Sequence, residues 1–259
     1  MGKRNRGSAE MPFLDHLEEL RWRLIKSIAA IVIGFIIGFL LVSKFNVLEL
    51  LIDPIRPIIG EARLKYLSPG DPFFITLGLA LTLGGLFAFP IIISQLWGFI
   101  APALMPREKR AIVPALYLGL VLFMCGVALG YYLVLPMTLR FFMGFQTASL
   151  EQNIVIGPYI GLVVKVLLAF GLLFELPVVV MVLSALGLVT SKFLSEKRRY
   201  AVAGIAVVAA VATPGDAVSL TVFMMGPLIV LYELSIIIAR LMERRRRRAA
   251  AAEPLPEAS

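Results

Sequence analysis

The sequence predicts an all-α integral membrane protein with six transmembrane helices, because it is very apolar and is divided into long apolar runs. Its 259 residues are 59% hydrophobic and 16% charged, and the mean hydropathy is +0.91. A soluble domain of this length cannot bury so much apolar surface. An α-helix needs about 20 mostly apolar residues to cross the hydrocarbon core of a bilayer. The segments that meet or approach this length are 24–44, 73–97, 111–136, 159–186, 200–213 and 217–240.

The first and fifth of these segments need separate arguments. The apolar run of the first begins at Leu24 and is followed by Lys44 and Phe45, not by the small residues of a signal-peptide cleavage site. We therefore expect it to remain as a transmembrane helix. The apolar run of the fifth, 201–212, has only about a dozen residues, so we expect it to thin the bilayer locally or to leave one end recessed.

Lysine and arginine are distributed unequally between the two sides of this predicted bundle. Nineteen lie in the N-terminal segment, the 2–3 loop, the 4–5 loop and the C-terminal tail, whereas five lie on the opposite side. The positive-inside rule then predicts that both termini are cytoplasmic. The net charge of +8 indicates this topology and contact with anionic lipid, not with nucleic acid. For the basic run 244–248, a topogenic anchor is favoured over an RNA-binding tail.

Three regions are predicted along the chain. A cytoplasmic segment with an amphipathic interfacial helix covers 1–23, the six-helix domain covers 24–242, and a basic and then disordered cytoplasmic tail covers 243–259. The connection between the first two spans contains an apolar run, 47–59, that is too short to cross a bilayer. We expect this run to lie along the outer surface as a cap over the bundle.

No metal or other cofactor is predicted. Cys125 is the single cysteine and His16 the single histidine, so the chain has neither a disulfide framework nor a cluster of typical zinc ligands. It also lacks a nucleotide-binding loop of the Gly-xxxx-Gly-Lys-Ser/Thr kind. Any energy that the protein uses would therefore come from the ion gradient or from partners.

Acidic residues occur at the start of the first span, where membrane-surface helices are usually basic. The apolar face of the predicted interfacial helix is formed by Phe13, Leu17, Leu20 and Leu24, and the other face includes Glu18 and Glu19. These acids can pair with Arg21 and Arg23, respectively, as ordinary helix-surface partners worth only tenths of a kcal/mol. The alternative is that they bind a ligand.

The 2–3 loop contains a further acid, Glu108, within the basic run 107–110. Acidic residues hardly affect topology, so this carboxylate serves either a local salt bridge or a cationic ligand. A carboxylate binds a guanidinium through two parallel charge-assisted hydrogen bonds. Glu19 and Glu108 on one face would therefore suit a ligand with adjacent arginines.

Ionisable residues within the predicted spans are Lys165, Glu175 and Glu233. Such groups are costly in a bilayer and usually face protein or water. Glu175 is thus a functional candidate, and a carboxylate satisfied by a neighbouring hydroxyl or amide is the alternative. Pro177 is expected to kink the fourth span beside it, because proline removes a backbone hydrogen bond. Pro90 and Pro227 suggest similar bends, which predicts a concave, kinked bundle.

Several strings of the sequence, taken in order, carry a resemblance to a known family. They are Phe13-Leu-Asp-His-Leu-Glu-Glu-Leu-Arg-Trp-Arg23, Gln95-Leu-Trp-Gly-Phe-Ile-Ala-Pro-Ala-Leu104 with Glu108-Lys-Arg110, Phe170-Gly-Leu-Leu-Phe-Glu-Leu-Pro177 and Thr213-Pro-Gly-Asp216. Together they resemble TatC, the core subunit of the twin-arginine protein translocase, from about residue 11 to 242. The chain departs from the family pattern at 105–107, where an aromatic residue and then a histidine commonly precede the acid.

The resemblance implies a receptor in the cytoplasmic (inner) membrane for signal peptides with consecutive arginines. It also implies small single-span partners of the TatA/TatB type, self-association, and movement of folded proteins across the membrane at the expense of the proton gradient. By position, Glu19 and Glu108 would receive the arginine pair, and Arg21 and Phe99 would belong to the same site.

The resemblance further implies roles inside the membrane. Glu175 would be the polar group of the concave face, with Lys165 and Glu233 as further polar residues for partner contact. Structurally important family positions would be Pro54, Pro90 and Asp216.

Two other classes of protein remain as alternatives to a translocase. A proton-coupled secondary transporter would use Glu175 and Lys165, but the inverted repeats usual in such proteins are not found in the sequence. An intramembrane protease is suggested superficially by Gly215-Asp216. Aspartyl chemistry needs a second carboxylate, and no Asp lies within any of the predicted spans that could supply one. The chain is therefore predicted not to be an enzyme.

Overall fold

The computed structural model describes residues 13–60, 63–100, 112–144, 153–185, 187–212 and 218–251. In these ranges the chain is helical, with an isolated bridge between Lys65 and Val155. The helices are α1 Phe13–Lys44, α2 Val47–Ile52, α3 Arg56–Ile59, α4 Asp71–Ile100, α5 Ile112–Leu129, α6 Leu135–Gly144, α7 Ile156–Leu173, α8 Leu176–Ala185, α9 Ser191–Glu196, α10 Arg198–Ala212 and α11 Val218–Ala251. A short π-helix, Gly130–Val134, joins α5 to α6.

Five helical segments of the described chain are long and apolar enough to cross a membrane, which confirms the predicted all-α membrane fold. They are Leu17–Lys44, Asp71–Phe99, Pro114–Gly144, Ile156–Ala185 and Met224–Arg244. The predicted fifth span corresponds to α10, which has 15 residues and is therefore about 22 Å long. This is shorter than the ~30 Å hydrocarbon core, as the short apolar run predicts. The cytoplasmic position of both termini remains a prediction.

The two terminal helices continue beyond the predicted spans. α1 is a single helix from Phe13 to Lys44, so the predicted interfacial helix runs without a break into the first span. α11 continues through the basic run to Ala251. The division of the chain at 23/24 and at 242/243 stays a prediction.

Glycine residues bring α1 and α4 into close contact. A Cβ atom added at Gly84 would lie 2.5 Å from the backbone nitrogen of Phe35 and 2.7 Å from the carbonyl carbon of Gly34. A Cβ atom added at Gly38 would lie 3.3 Å from the carbonyl carbon of Ala80. Small residues therefore let the two backbones approach. The two helices are antiparallel along this contact, so the start of α1 lies beside the end of α4.

The short helices α2 and α3 form a cap on one end of the bundle. Ile55, between them, is fully buried. The hydroxyl of Tyr131 donates to the carbonyl oxygen of Leu50 at 2.6 Å, and the hydroxyl of Tyr159 donates to that of Leu51 at 2.6 Å. The predicted cap therefore packs against the spans. The side of the membrane on which it lies stays a prediction.

Two of the hydrophobic clusters that hold the described helices together lie next to the cap or the cleft. The larger one joins the cap to the spans and includes Ile55, Leu135, Val163, Phe170 and Met224. The smaller one joins α4, α5 and α8 through Trp97, Ala115 and Val178. The cleft described below is lined by α4 and α5, next to this second cluster.

The fourth predicted span is broken beside Glu175, as the position of Pro177 predicts. The break separates α7 from α8, and the backbone N–H of Val178 donates to the carbonyl oxygen of Glu175 at 2.9 Å to begin the next helix. Proline has no N–H and cannot continue the preceding hydrogen-bond pattern. Pro90 and Pro227 lie inside the continuous helices α4 and α11.

Candidate functional site

Glu19 is held by Arg23, one turn later on α1. Arg23 donates from Nε at 2.9 Å and from Nη2 at 2.5 Å, both to Oε1 of Glu19. The side chains of Glu19 and Arg23 are 24% and 25% exposed, respectively. The i, i+4 spacing places both residues on one face of the helix. The ion pair expected from the sequence is thus confirmed, and it is partly buried.

Arg23 also reaches α4. Its Nη1 donates to the carbonyl oxygen of Gln95 at 3.5 Å. Gly98 leaves the space that the guanidinium occupies, because a Cβ atom there would overlap this group and lie 2.7 Å from Cζ. Phe99 follows Gly98 directly. Glu19, Arg23 and the 95–99 stretch of α4 therefore meet at one end of the bundle.

The other residues predicted for this site are placed differently. Arg21 is exposed on α1, and residues two apart on a helix do not face each other, so Arg21 does not share the face of Glu19. Glu108 and Asp216 lie outside the described residues. The predicted meeting of two carboxylates, Glu19 and Glu108, stays a prediction.

Glu175 lies at the break between α7 and α8 and faces a cleft. It is 8% exposed, and its Oε1 has no hydrogen-bond partner among the described residues. The cleft has a volume of about 290 Å³. Its other lining residues are Phe89, Pro90, Ile93, Leu116, Tyr117 and Leu120. The wall around this carboxylate oxygen is mostly apolar, so a polar group that enters the cleft would supply the hydrogen bond that the oxygen needs.

Gly119 on α5 makes the position of Glu175 possible. A Cβ atom at Gly119 would lie 2.9 Å from Oε2 and 3.2 Å from Oε1 of Glu175. Phe89, which lines the same cleft, stacks on Phe123 with the ring centroids 4.0 Å apart. Sequence reasoning missed Gly119. The available signal was an isolated glycine inside a helical pattern, which does not say what the glycine meets.

Lys165 and Glu233 do not join Glu175 in this cleft. Lys165 is exposed on α7 and is not among the residues that line the cleft. Oε2 of Glu233 accepts a hydrogen bond from Nη2 of Arg198 at 2.7 Å, and this ion pair joins α10 to α11. The three intramembrane groups predicted from the sequence therefore occupy three separate places.

Two of the predicted structural positions are described. Pro54 lies in the turn between α2 and α3, and Pro90 lines the Glu175 cleft. Sequence reasoning also missed Gly98, which leaves the space for Arg23 in the Glu19 cluster. For metals, the described part of the chain contains no group of three or more His, Cys, Asp or Glu residues that could hold an ion.

Comparison with known proteins gives matches over most of the chain. The family model described as "Sec-independent protein translocase protein (TatC)" matches residues 15–227. The Sec-independent protein translocase protein TatC of Aquifex aeolicus (strain VF5) is 40% identical over 236 residues, which is 90% of this chain and 97% of the relative. The Sec-independent protein translocase protein TatCy of Bacillus subtilis (strain 168) is 32% identical over 245 residues, or 94% of each chain.

Solved structures agree with these matches. The structure titled "Crystal Structure of Twin Arginine Translocase Receptor- TatC" is 40% identical, with a TM-score of 0.74, and the match covers 88% of this chain and 100% of that one. A second structure of the same receptor, titled as being in DDM, is also 40% identical and has a TM-score of 0.75, with 86% and 99% of the two chains covered. The chain therefore belongs to the TatC family of Sec-independent protein translocase proteins.

Proposed function

We propose that this chain is the core component of the twin-arginine translocase. In this role it binds twin-arginine signal peptides at its cytoplasmic face and, with small single-span Tat partners, transports folded proteins across the cytoplasmic membrane. Membership of the TatC family supports the translocase role. The observation that carries the binding proposal is Glu19, whose carboxylate already binds a guanidinium in a partly buried position.

The chemistry of this carboxylate fits an arginine ligand. Oε1 of Glu19 accepts two N–H groups of one guanidinium, and such charge-assisted bonds are about twice as strong as neutral ones. A lysine ammonium is a compact point charge and cannot reproduce the fork of the guanidinium. Glu108 would receive the second arginine of the pair, while Phe99 and Arg21 would shape the surroundings of the peptide.

The experiment that tests this proposal is photo-crosslinking of a signal peptide to the full chain in membranes. The peptide carries either Arg-Arg or Lys-Lys at the paired position, and the receptor is wild type, Glu19→Gln or Glu108→Ala. We expect crosslinking of the Arg-Arg peptide to fall about tenfold or more in each variant, because a charge-assisted hydrogen bond contributes roughly 1.5–3 kcal/mol.

The control for this experiment is Glu49→Gln, which removes one carboxylate from the cap, where Glu49 pairs with Arg56 at 3.4 Å. This variant should crosslink as the wild type does. Equal crosslinking of the Arg-Arg peptide to all four proteins, or of both peptides to the wild type, would contradict the receptor assignment.

We also propose that the Glu175 cleft receives a polar side chain from the membrane helix of a small Tat partner of the TatA/TatB type. The support is the buried Oε1 that lacks a partner in the described residues, together with apolar walls that suit the side of a helix. A hydrogen bond formed inside the bilayer is worth about 1–2 kcal/mol in model peptides. Contact at this cleft would therefore favour a partner with a polar residue at membrane depth.

Crosslinking of the partner tests the second proposal. Glu175→Leu should lower partner crosslinking several-fold and leave crosslinking of the Arg-Arg peptide unchanged, whereas Glu175→Gln should keep much of the partner signal because an amide still forms hydrogen bonds. Glu49→Leu serves as the control for loss of an acid. Unchanged partner crosslinking in Glu175→Leu would refute the role of this cleft.

Further properties follow from the same proposal. Both termini lie in the cytoplasm of a multi-pass inner-membrane protein, the basic residues contact anionic lipid, copies of the chain associate, and the proton gradient supplies energy. Lys165 and Glu233 would contribute further polar contacts outside the cleft. The alternative of a proton-coupled transporter that uses Glu175 and Lys165 has less support, because Lys165 does not line the cleft that holds Glu175.

A further inference from the structure

Arg23 occupies the place that an arginine of a signal peptide would take at Glu19. Two of its nitrogens donate to Oε1 of Glu19, and the third donates to the carbonyl oxygen of Gln95. The guanidinium lies against Gly98, where no side chain competes for the space. The internal arginine is therefore bound on two sides, by the carboxylate on its own helix and by the backbone of α4.

We propose that Arg23 is an internal competitor for Glu19 and sets the affinity threshold of the twin-arginine site. This inference rests on the proposed function, because it assumes that Glu19 receives an arginine of the signal peptide. When the peptide binds, its guanidinium replaces that of Arg23 at Oε1, and Arg23 swings away from Gln95. Arg23 thereby lowers the affinity for every ligand that binds at Glu19, without itself recognising the ligand.

The physical basis is competition between a tethered and a free ligand. A group fixed one helical turn from its acceptor has a high effective concentration, so a single incoming cation displaces it poorly. The displacement step breaks the contacts of Arg23 with Glu19 and with Gln95, whichever ligand arrives, so it lowers the affinity of every ligand by the same factor. A peptide that makes further contacts, as an arginine pair does with a second acid, exceeds this threshold. A peptide with weaker contacts does not.

Two variants remove Arg23 from its place in different ways. Arg23→Gln removes the guanidinium together with its charge. Gly98→Ala keeps the charge but introduces a Cβ atom that overlaps the guanidinium, 2.7 Å from Cζ and 3.0 Å from Nη2. Because the atoms that it meets are the far end of a flexible side chain, we expect Arg23 to move away while α1 and α4 stay in place.

The experiment measures the dissociation constants of fluorescent signal peptides, with Arg-Arg or Lys-Lys at the paired position. The full chain is held in nanodiscs of phosphatidylethanolamine and phosphatidylglycerol. We expect both Arg23→Gln and Gly98→Ala to tighten binding of both peptides by the same factor, about tenfold, which corresponds to about 1.4 kcal/mol. The ratio of the two affinities should stay as in the wild type, since the displacement step does not involve the ligand.

Two controls separate competition from simpler effects. Lys26→Gln removes one positive charge from an exposed position on α1, three residues after Arg23, and should change either affinity less than twofold. A gain in Lys26→Gln as large as that in Arg23→Gln, with none in Gly98→Ala, would overturn the inference, because the effect would then be general charge attraction.

Glu19→Gln, measured in parallel, distinguishes failure of this inference from failure of the proposed function. If Glu19→Gln binds the Arg-Arg peptide as tightly as the wild type, Glu19 is not the acceptor, and both proposals fall. If Glu19→Gln binds weakly while Arg23→Gln and Gly98→Ala leave the affinity unchanged or lower it, Arg23 supports Glu19 and only the competitor role is overturned. Retention of the folded state is checked for each variant by its thermal unfolding midpoint.

Discussion

Glu175 and Gly119 face each other across the contact between α5 and the break that separates α7 from α8. Oε2 of Glu175 lies 2.9 Å from the position that a Cβ atom of Gly119 would occupy. The buried carboxylate thus packs against the backbone of α5. Its Oε1, which has no partner among the described residues, is available to a group that enters the cleft. The absence of a side chain at Gly119 leaves room for an ionisable group inside the bundle.

The first prediction concerns Gly119→Ala. Alanine gains up to about 1 kcal/mol of helix propensity over glycine, but overpacking of a filled site typically costs about 1–3 kcal/mol. We expect a net loss of about 1 kcal/mol in the free energy of unfolding, measured by chemical denaturation in detergent, and weaker crosslinking to a small Tat partner.

The double variant Gly119→Ala/Glu175→Ala tests the cause of this loss. Removing the carboxylate should remove the overlap, so the two changes should be non-additive by roughly 1 kcal/mol in a double-mutant cycle. Gly78→Ala is the control, since a Cβ atom there meets nothing within 4 Å. If the two changes in unfolding free energy were strictly additive, Gly119→Ala would not act through the Glu175 carboxylate.

The second prediction compares two adjacent glycines on α4. In Gly84→Val the added atoms meet the backbone of Phe35 and Gly34, which cannot move aside as a side chain can. We expect α1 and α4 to separate locally and the free energy of unfolding to fall by about 2 kcal/mol or more. Gly85→Val is the matched control, because a Cβ atom at Gly85 meets nothing within 4 Å. Equal thermal midpoints for the two variants would contradict this packing.

The third prediction concerns the cap. Tyr159 is buried and Tyr131 is partly exposed, and each hydroxyl donates to a cap carbonyl at 2.6 Å. Tyr159→Phe leaves the carbonyl of Leu51 without this donor in a buried place, where an unsatisfied group costs about 1–3 kcal/mol. Tyr131→Phe should cost less, because water replaces the lost bond. Hydrogen exchange of the cap amides should rise more in Tyr159→Phe, and the reverse order would contradict the assignment.

The fourth prediction concerns the ion pair of Arg198 and Glu233. Their side chains are 48% and 43% exposed, respectively, and an exposed pair is worth about 0.2–1 kcal/mol. In a double-mutant cycle with Arg198→Gln and Glu233→Gln, we expect a coupling energy in this range that decreases at high salt. A coupling above about 2 kcal/mol, or one that salt leaves unchanged, would mean that the pair is shielded from solvent by a partner.

Part of the Glu19 cluster could be predicted from the sequence. The i, i+4 spacing predicts that Glu19 meets Arg23, and the structure confirms this pair. The contact of Arg23 with Gln95 joins residues 72 positions apart in the chain. No periodicity within α1 indicates which turn of α4 lies opposite, because that register is set by the glycine contacts between the two helices.

The cleft, too, could be predicted from the sequence only in part. Pro177 predicts the break beside Glu175, because proline disrupts hydrogen bonding within its own helix. Within the described residues, Oε1 has no partner, the carboxylate packs against Gly119 and the wall includes Pro90. These features depend on how α4, α5 and the break between α7 and α8 meet in space. The sequence places Lys165, Glu175 and Glu233 alike in apolar runs, and it does not indicate which of them meet. The packing places each of them in a different environment.

The sequence by itself determined the all-α membrane class of the protein, its family and the local features of single helices. These properties depend on composition, on periodicity and on contacts within one helical turn, which the order of residues specifies directly. Tertiary structure alone decided that Arg23 joins α1 to α4 and that Glu175 rests against Gly119. Both contacts depend on the distance between the backbones of two helices. That distance is set when the helices pack, and the sequence of one helix does not specify it.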